Sequence, residues 1–391
     1  MRLLVWLLLS AIGSAQSEPR IQISHTHEAL RGVSATSRQV AWASGTHGTY
    51  LRTVDGGRTW VPGQIPEAVE LDFRAVVAFS ADEAFLMSAG PGEQSRIYHT
   101  SDGGQHWKLQ FTNSNPKGFF DSMAFWNSKR GIVLGDPIPD EKGKLHFEVL
   151  ETEDGQTWQP IVSAQMPEAV EGEGAFAASN SSIAIVDERH SRARDADDGR
   201  ASVSTAPDPN IWFATGGKAA RVFHSPDRGK TWEISPTPLL HGAESAGIFS
   251  IAFRDARHGV IAGGDYKHPN HDGPNLAFTD DGGKTWTLST LDPQAYFSAV
   301  AYDQQVNAEA LRQQNQARSA KGSGKKRLAT PVAPQRLFIV GEDFIFDFRP
   351  PNNPRRINGR KREGFAFNAV SAYSEGGALV VGPKGTIAYI P

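Results

Sequence analysis

Residues Thr279–Trp286 read Thr-Asp-Asp-Gly-Gly-Lys-Thr-Trp, and this stretch decides the fold because it is repeated along the chain. An Asp-Gly pair between apolar segments predicts a tight turn, since glycine adopts positive φ and the carboxylate accepts backbone N–H groups. The tryptophan offers a large apolar face that we expect to pack beneath the turn. Each copy therefore predicts a structural turn between the third and fourth strands of one unit. The five copies, one of them a residue shorter, contain Asp55 and Trp60, Asp102 and Trp107, Asp154 and Trp158, Asp227 and Trp232, and Asp281 and Trp286.

An apolar strand that runs into glycine recurs upstream of these turns. It occurs seven times, at 41–45, 85–90, 132–136, 212–217, 260–265, 338–343 and 379–385. Seven units over the chain average about 53 residues, or about 45 without two irregular segments, which is the size of a four-stranded propeller blade. The last unit ends before a fourth strand, so we expect residues 20–24 to supply it. The sequence predicts an all-β, seven-bladed β-propeller closed by its N-terminal strand.

The octapeptide resembles the Asp-box, or bacterial neuraminidase (BNR) repeat. The longer phrase, an apolar strand followed by glycine and then Thr-x-Asp-Gly-Gly-x-Thr-Trp, resembles the photosystem II stability/assembly factor-like proteins. This resemblance covers about residues 29–390 and implies a seven-bladed propeller that acts by binding other proteins or assemblies. Sialidases share the Asp-box, so the repeat defines a sialidase-like fold and leaves the activity open.

The N-terminus has the pattern of a secretory leader. Arg2 precedes an apolar run from Leu3 to Ile12, and small residues follow at Gly13 and Ala15. We expect a signal peptide at 1–15 and a single propeller domain at 16–391, located in the periplasm or outside the cell. No later stretch approaches 18 uninterrupted apolar residues, so no membrane span is expected. The sequence has no cysteine, which excludes disulfides and thiolate metal sites within it.

Two irregular polar segments, 187–209 and 303–334, are expected to project as loops, the second with a short helix at 307–318. The region 303–362 holds 13 Lys or Arg against 5 Asp or Glu, whereas the whole chain has a formal net charge of −3. A solvated basic loop and an anion-binding arm both fit this composition. Basic residues without interleaved aromatic residues do not favour a nucleic-acid partner.

Motifs for catalysis and cofactors do not fit the sequence. The phosphate-loop pattern fails because the required glycine is missing before each Gly-Lys pair, and no dinucleotide fingerprint, nucleophile elbow or His-Glu-x-x-His is present. We therefore expect no cofactor and assign no catalytic residue. Two hypotheses remain: a monomeric, protein-binding assembly or scaffold factor with a protein or peptide partner, and a carbohydrate-active hydrolase, sialidase-like or another glycosidase, that uses paired carboxylates.

The channel mouth opposite the Asp-boxes is where we expect a ligand. Turns between second and third strands lie at the other end of a blade from turns between third and fourth strands, so residues after the second strands converge there. The candidate ligand-binding residues that follow second strands are Asp136, Asp265, Asp343, Lys218 and Lys384. Glu173 is a further candidate, because it enters the first strand of the fourth blade from the same end. Ordinary turn capping is the alternative role for the aspartates. In the loop 263–275, His268, His271 and Asp272 are candidate metal ligands, with a solvated loop as the alternative.

Overall fold

The computed structural model describes residues 18–161, 166–185, 209–270, 273–289, 295–303, 336–342, 344–348, 355–356 and 366–391. The predicted signal peptide, nearly all of both irregular segments with the helix at 307–318, and three candidate residues (Asp343, His271 and Asp272) lie outside this part of the chain. Within it, no helix is both long and apolar enough to cross a membrane.

The described residues form seven antiparallel blades of four strands, as predicted. Blade 1 contains Leu30–Ala35, Ala41–Gly45, Thr49–Thr53 and Val61–Gln64, and blade 2 contains Asp72–Ala78, Ala84–Ala89, Arg96–Thr100 and Lys108–Thr112. Blade 3 contains Phe120–Asn127, Arg130–Pro139, Leu145–Thr152 and Gln159–Pro160. Blade 4 contains Ile183–Ile185, Ile211–Ala214, Arg221–Ser225 and Glu233–Pro236. Blade 5 contains Ala246–Phe253, Gly259–Asp265, Leu276–Thr279 and Thr287–Leu288. Blade 6 contains Phe297–Tyr302, Leu337–Gly341, Phe344–Phe348 and Arg355–Arg356. Blade 7 contains Ala369–Ala372, Ala378–Gly382, Thr386–Ile390 and, from the start of the chain, Arg20–Gln22. Two short strands, Glu173–Gly174 and Gly216–Gly217, and two 3-10 turns, Pro66–Ala68 and Gly92–Gln94, complete the elements.

The core is divided among the seven gaps between blades. Each gap holds one apolar cluster, such as the cluster of Leu30, Trp60 and Val381 between blades 7 and 1. Alternate strand residues face the two neighbouring blades, because successive side chains of a strand point to opposite faces of its sheet. The propeller is therefore held together by contacts between sheets.

Serine side chains join the innermost strands of neighbouring blades. The Ser34 hydroxyl accepts the N–H of Ala78 at 3.0 Å, and the Ser250 hydroxyl accepts the N–H of Val300 at 3.0 Å. Ser371 does the same for the N–H of Ala35 across the closure of the ring. These bonds satisfy amides that a sheet ladder does not reach, and they fix the inner strands around the channel.

The N-terminal strand closes the ring, which confirms the prediction. Arg20–Gln22 pairs antiparallel with the last strand, with Gln22 opposite Ile387. The Gln22 side chain also donates to the Gly56 carbonyl at 3.1 Å and accepts the indole N–H of Trp60 at 2.9 Å. Closure thus ties the outer edge of blade 7 to the Asp-box of blade 1.

The Asp-boxes are hydrogen-bonded turns between third and fourth strands, as predicted. In blade 5, Thr279 Oγ1 donates to Asp281 at 2.8 Å and accepts the N–H of Gly283, while Asp281 accepts the N–H of Thr285 at 3.0 Å. The short copy in blade 3 makes the same set of bonds around Asp154. The N–H of Gly282 donates to Arg257 in the turn between strands 1 and 2, so the Asp-boxes lie at that end of the blades.

Blade 6 has an ion network at this end, where blades 1 to 5 have an Asp-box. The buried Arg336 donates to Asp303 at 2.9 Å, to Asp347 at 3.0 Å and to the carbonyl of Pro391 at 2.9 Å. Two carboxylates around one guanidinium satisfy charges that would be costly to bury singly. The network fixes blade 6 to the C-terminal end of the chain.

Candidate functional site at the channel mouth

The inner strand of blade 4 leaves its sheet, so Glu173 does not continue into a first strand as the sequence suggests. Gly174 pairs with Gly216 and Ile183 pairs with Phe213, which leaves the eight residues 175–182 facing only the two residues 214–215. We call residues 175–182 the channel loop. Such an excursion is far larger than a β-bulge, which adds one residue.

The channel loop lies in the central channel of the propeller. The N–H of Ala175 donates to Asp136 of blade 3 at 3.0 Å, and the carbonyl of Ala177 accepts from Arg74 of blade 2 at 3.0 Å. Further along, Ser179 donates to a carbonyl of blade 6 at 3.0 Å. Because blades 2 and 6 are not neighbours of blade 4, only a segment inside the ring reaches both of them.

Glycines allow the backbone of blade 5 to take the place that the loop vacates. Gly216 of blade 4 pairs directly with Gly247 of blade 5, and a Cβ atom added to Gly247 would lie 2.3 Å from the Gly216 Cα. The loop residue Phe176 stacks on Phe249 of blade 5, with ring centroids 3.9 Å apart and an angle of 8° between the planes. The loop therefore has an apolar anchor as well as polar ones.

A β-bulge at the mouth end of the inner strand re-aims one side chain in each of five blades. The bulge residues are Arg31, Arg74, Asp121, Phe249 and Ser298. Bulges commonly re-aim side chains beside binding sites. Sequence reasoning missed these residues, although each is the middle of a triplet with an apolar residue before it and a small residue after it, such as Leu-Arg-Gly at 30–32.

Two arginines and one aspartate form the charged side of the mouth. Asp72 Oδ2 lies 2.9 Å from the Nε of Arg74 and 3.6 Å from the Nε of Arg31. Each arginine side chain keeps 31% of its surface exposed. Burial lowers the pKa of the Arg31 guanidinium, and the charge of Asp72 opposes that shift. The two guanidinium groups thus share one carboxylate and leave positive charge facing the mouth.

A carboxyl pair lies next to Arg74. Asp121 is almost fully buried, and its Oδ2 has no hydrogen-bond partner among the described residues. Burial and the charge of Asp136 raise the pKa of Asp121 well above its usual range, while Arg74 opposes the shift. Burial also raises the pKa of Asp136 to about 6, against the hydrogen bond from Ala175. The pair therefore takes up a proton at a higher pH than exposed aspartates do.

Aromatic rings form the other side of the mouth. Phe249 packs edge-on against Tyr296, with centroids 4.8 Å apart, and Tyr266 lies 6.0 Å away with 48% of its surface exposed. Arg31 interacts electrostatically with this aromatic group. Burial raises the pKa of the Tyr296 hydroxyl, and the positive charge of Arg31 lowers it by a smaller amount. The channel mouth thus combines cationic, acidic and aromatic groups above a channel that the loop occupies.

The predicted site residues differ in the contacts that they make. Of those described, Asp136 takes part in the mouth. Glu173 has a fully buried side chain bonded to Arg221, to Thr215 at 2.7 Å and to the N–H of Val170 at 3.0 Å. Its observed contacts are those of a buried ion pair.

Of the remaining candidates, Asp265 ends the second strand of blade 5, and Lys218 and Lys384 lie in turns. Asp265 accepts the N–H of Lys267 and contacts His268, both at 2.9 Å. The stem of Lys218 packs over Gly172, with its Nζ 3.5 Å from a carbonyl, and Lys384 is exposed in a left-handed turn at φ 55°. Across the described ranges, no group of three or more His, Asp or Glu residues is arranged to hold a metal ion.

Fold and mouth together define a seven-bladed Asp-box β-propeller with a loop in its channel. A family model described as Photosynthesis system II assembly factor YCF48 matches residues 14–116. Photosystem II assembly protein Ycf48 of Synechococcus sp. (strain JA-2-3B'a(2-13)) is 25% identical in an alignment over 289 residues. The match covers 58% of this chain and 80% of that protein. These similarities support a photosystem II assembly factor-like propeller.

Solved structures share this fold. A structure described as "YCF48 bound to D1 peptide" covers 96% of this chain and 96% of its own, with 14% identity and a TM-score of 0.61. YCF48 from Cyanidioschyzon merolae covers 96% of this chain and 98% of its own, with 16% identity and a TM-score of 0.56. At these identities the likeness establishes the architecture.

Proposed function

We propose that this protein is a binding propeller, an assembly or scaffold factor that holds a peptide segment of a protein partner at the channel mouth. The observation that carries the proposal is the pair Arg31 and Arg74 facing an aromatic group across a channel occupied by its own loop. The similarity to photosystem II assembly proteins supports a role in assembly, and the YCF48 structure with a peptide supports a peptide ligand.

The chemistry of the mouth favours a segment that carries a carboxylate beside an apolar side chain. Guanidinium groups bind carboxylates through two parallel hydrogen bonds, so Arg31 and Arg74 suit an acidic side chain or a C-terminus. The rings around Phe249 offer the edges and faces against which an apolar side chain packs. Because the channel loop fills the ring, the segment rests on the mouth and does not thread the propeller.

The glycosidase hypothesis finds less support at this site. A glycosidase needs two carboxyl groups on either side of a substrate bond in one open cleft. Of the pair at the mouth, Asp121 is only 1% exposed. Glu173, the other acidic candidate nearby, forms a buried ion pair with Arg221. Among the described residues, these contacts favour binding over hydrolysis.

The domain and location proposals rest on the N-terminal sequence. The leader pattern at 1–15 supports export and a mature propeller at 16–391, in the periplasm or outside the cell. The ring is complete with residues 20–22, so a cut after Ala15 spares the closing strand. Mass spectrometry of the N-terminus of the exported protein tests this directly.

Site-specific crosslinking tests the binding proposal. A photoreactive phenylalanine analogue at Tyr266, in the mature protein, should crosslink one recurring peptide segment in the native envelope fraction. Replacing Arg31 and Arg74 with alanine should reduce that crosslink at least tenfold, whereas replacing the exposed Arg20 and Arg58 should leave it unchanged. Equal crosslinking in both variants, at equal melting temperature, would refute the mouth as the binding site.

A further inference from the structure

We propose that the channel mouth binds its carboxylate ligand together with a proton, which the Asp121 and Asp136 pair takes up. This inference rests on the proposed function and deepens it, because it assigns the acidic half of the mouth a role in ligand binding. It concerns groups that the peptide-binding proposal does not itself use.

Arg74 connects the two halves of the mouth. Its guanidinium bonds Asp72 at 2.9 Å and the carbonyl of Ala177 at 3.0 Å, and its charge also favours the ionised form of Asp121. A ligand carboxylate on Arg74 would compensate that charge, so Asp121 would lose part of the stabilisation of its anion. The ligand would also place a new negative charge near Asp136. Both effects increase the affinity of the pair for a proton.

The unmet hydrogen bonding of Asp121 points the same way. Its Oδ2 is buried without a partner, although buried polar atoms are normally bonded. A protonated carboxyl is easier to bury than a carboxylate, because it carries no charge. Since the pKa of Asp136 is about 6, a modest rise on ligand binding would make the pair take up a proton near neutral pH.

The other acidic groups around Asp136 are held by partners of their own. Asp72, on the first strand of blade 2, is shared by Arg31 and Arg74. Glu148, on the third strand of blade 3, accepts from Asn113 at 2.7 Å, and burial raises its pKa. Glu173, in the short strand before the channel loop, pairs with Arg221. Because Glu148 also has a raised pKa, the variant Glu148→Gln is needed as a control to distinguish its titration from that of Asp136.

The channel loop reports the protonation state. Asp136 accepts the N–H of Ala175, so loss of its charge weakens that bond and shifts the amide resonance of Ala175. In the mature protein without ligand, this resonance should titrate near pH 6 in the wild type and in Glu148→Gln, but not in Asp136→Asn. An Ala175 resonance that stays constant between pH 4.5 and 8 would overturn the proposal.

Binding calorimetry tests the coupling. The probe is N-acetyl-Ala-Phe-Ala with a free carboxylate, compared with its C-terminal amide. The affinity of the wild type for the carboxylate should fall about tenfold from pH 6 to pH 8. One linked proton allows at most about a hundredfold over two pH units, and the change is smaller because the free pair is already partly protonated at pH 6. Binding enthalpies measured in PIPES and in Tris should differ in the wild type and Glu148→Gln, by the number of protons taken up multiplied by the difference in buffer ionisation enthalpy. They should agree in Asp136→Asn and Asp121→Asn, which take up no proton.

The outcomes separate the two proposals. Binding of the carboxylate with equal affinity at both pH values, and with buffer-independent enthalpy, would refute the proton coupling and leave the binding proposal standing. No binding at any pH, or equal binding of the amide, would refute the carboxylate ligand itself and the coupling with it. Correctly folded variants are verified by their near-ultraviolet circular dichroism.

Discussion

Replacing Glu173 with glutamine should destabilise the propeller without a direct effect on the channel mouth. The side chain of Glu173 is fully buried and bonds Arg221, Thr215 and the N–H of Val170. Glutamine keeps the shape but removes the charge, and leaves a guanidinium that is only 18% exposed without its counter-ion. Removing one partner of a buried ion pair typically costs about 3 to 5 kcal/mol.

Urea unfolding followed by tryptophan fluorescence measures this cost. The matched control is Glu168→Gln, which removes the same charge from a half-exposed pair with Lys144, where we expect a loss of about 0 to 1 kcal/mol. Both variants should bind the peptide probe normally at temperatures where they are folded. If Glu173→Gln were as stable as the control yet failed to bind, Glu173 would be a ligand-binding residue and the structural role argued from its contacts would be wrong.

Three further perturbations test the closure and the turns. Gln22→Ala should lower the free energy of unfolding by about 1 to 3 kcal/mol, since the buried indole N–H of Trp60 loses its acceptor; an unchanged urea midpoint would contradict a closing role. Asp281→Ala should cost about 1 to 3 kcal/mol in the same assay, whereas Asp280→Ala, its exposed neighbour, should cost little. A backbone hydrogen bond from Thr157 lowers the pKa of Asp154 to about 2, so its contribution is complete above about pH 4 and is lost as the pH falls towards 2. The melting temperature of Asp154→Asn should therefore converge with that of the wild type in acid, and a constant difference down to pH 2 would refute the assignment.

The blades were predictable because their signals are local and repeated. An Asp-Gly turn followed by tryptophan needs no long-range information, and five copies set the length of a blade. Ring closure was predictable from the number of strands in the last unit. That unit has three strands, and the edge left by the missing fourth strand can be covered by the N-terminal strand.

The mouth was harder to predict because its groups come together through irregular backbone. The sequence predicts a first strand after Glu173, but the channel loop leaves the sheet there. Gly216 pairs with Gly247 in its place, and a Cβ atom on either glycine would leave no room for this pairing. Asp136 was found from its place after a strand. Glu173 was expected at the same end, where it would enter the first strand of blade 4, but its ion-pair partner Arg221 is 48 residues away in sequence. Contacts between residues that are distant in sequence decide which carboxylate lies at the mouth and which forms a buried ion pair.

The pairing of Arg20–Gln22 with the last strand also constrains how this chain acquires its structure. Residues 20–22 pair with residues 387–389, so nearly the whole propeller separates the two partners, and during synthesis the first strand cannot pair until residues 387–389 have emerged. Until then, the last blade has an unpaired edge and the first Asp-box lacks the side chain that bonds Trp60. A nascent or truncated chain therefore has an open ring. Its unpaired strand edge is exposed to aggregation and proteolysis until the first strand pairs with the last one.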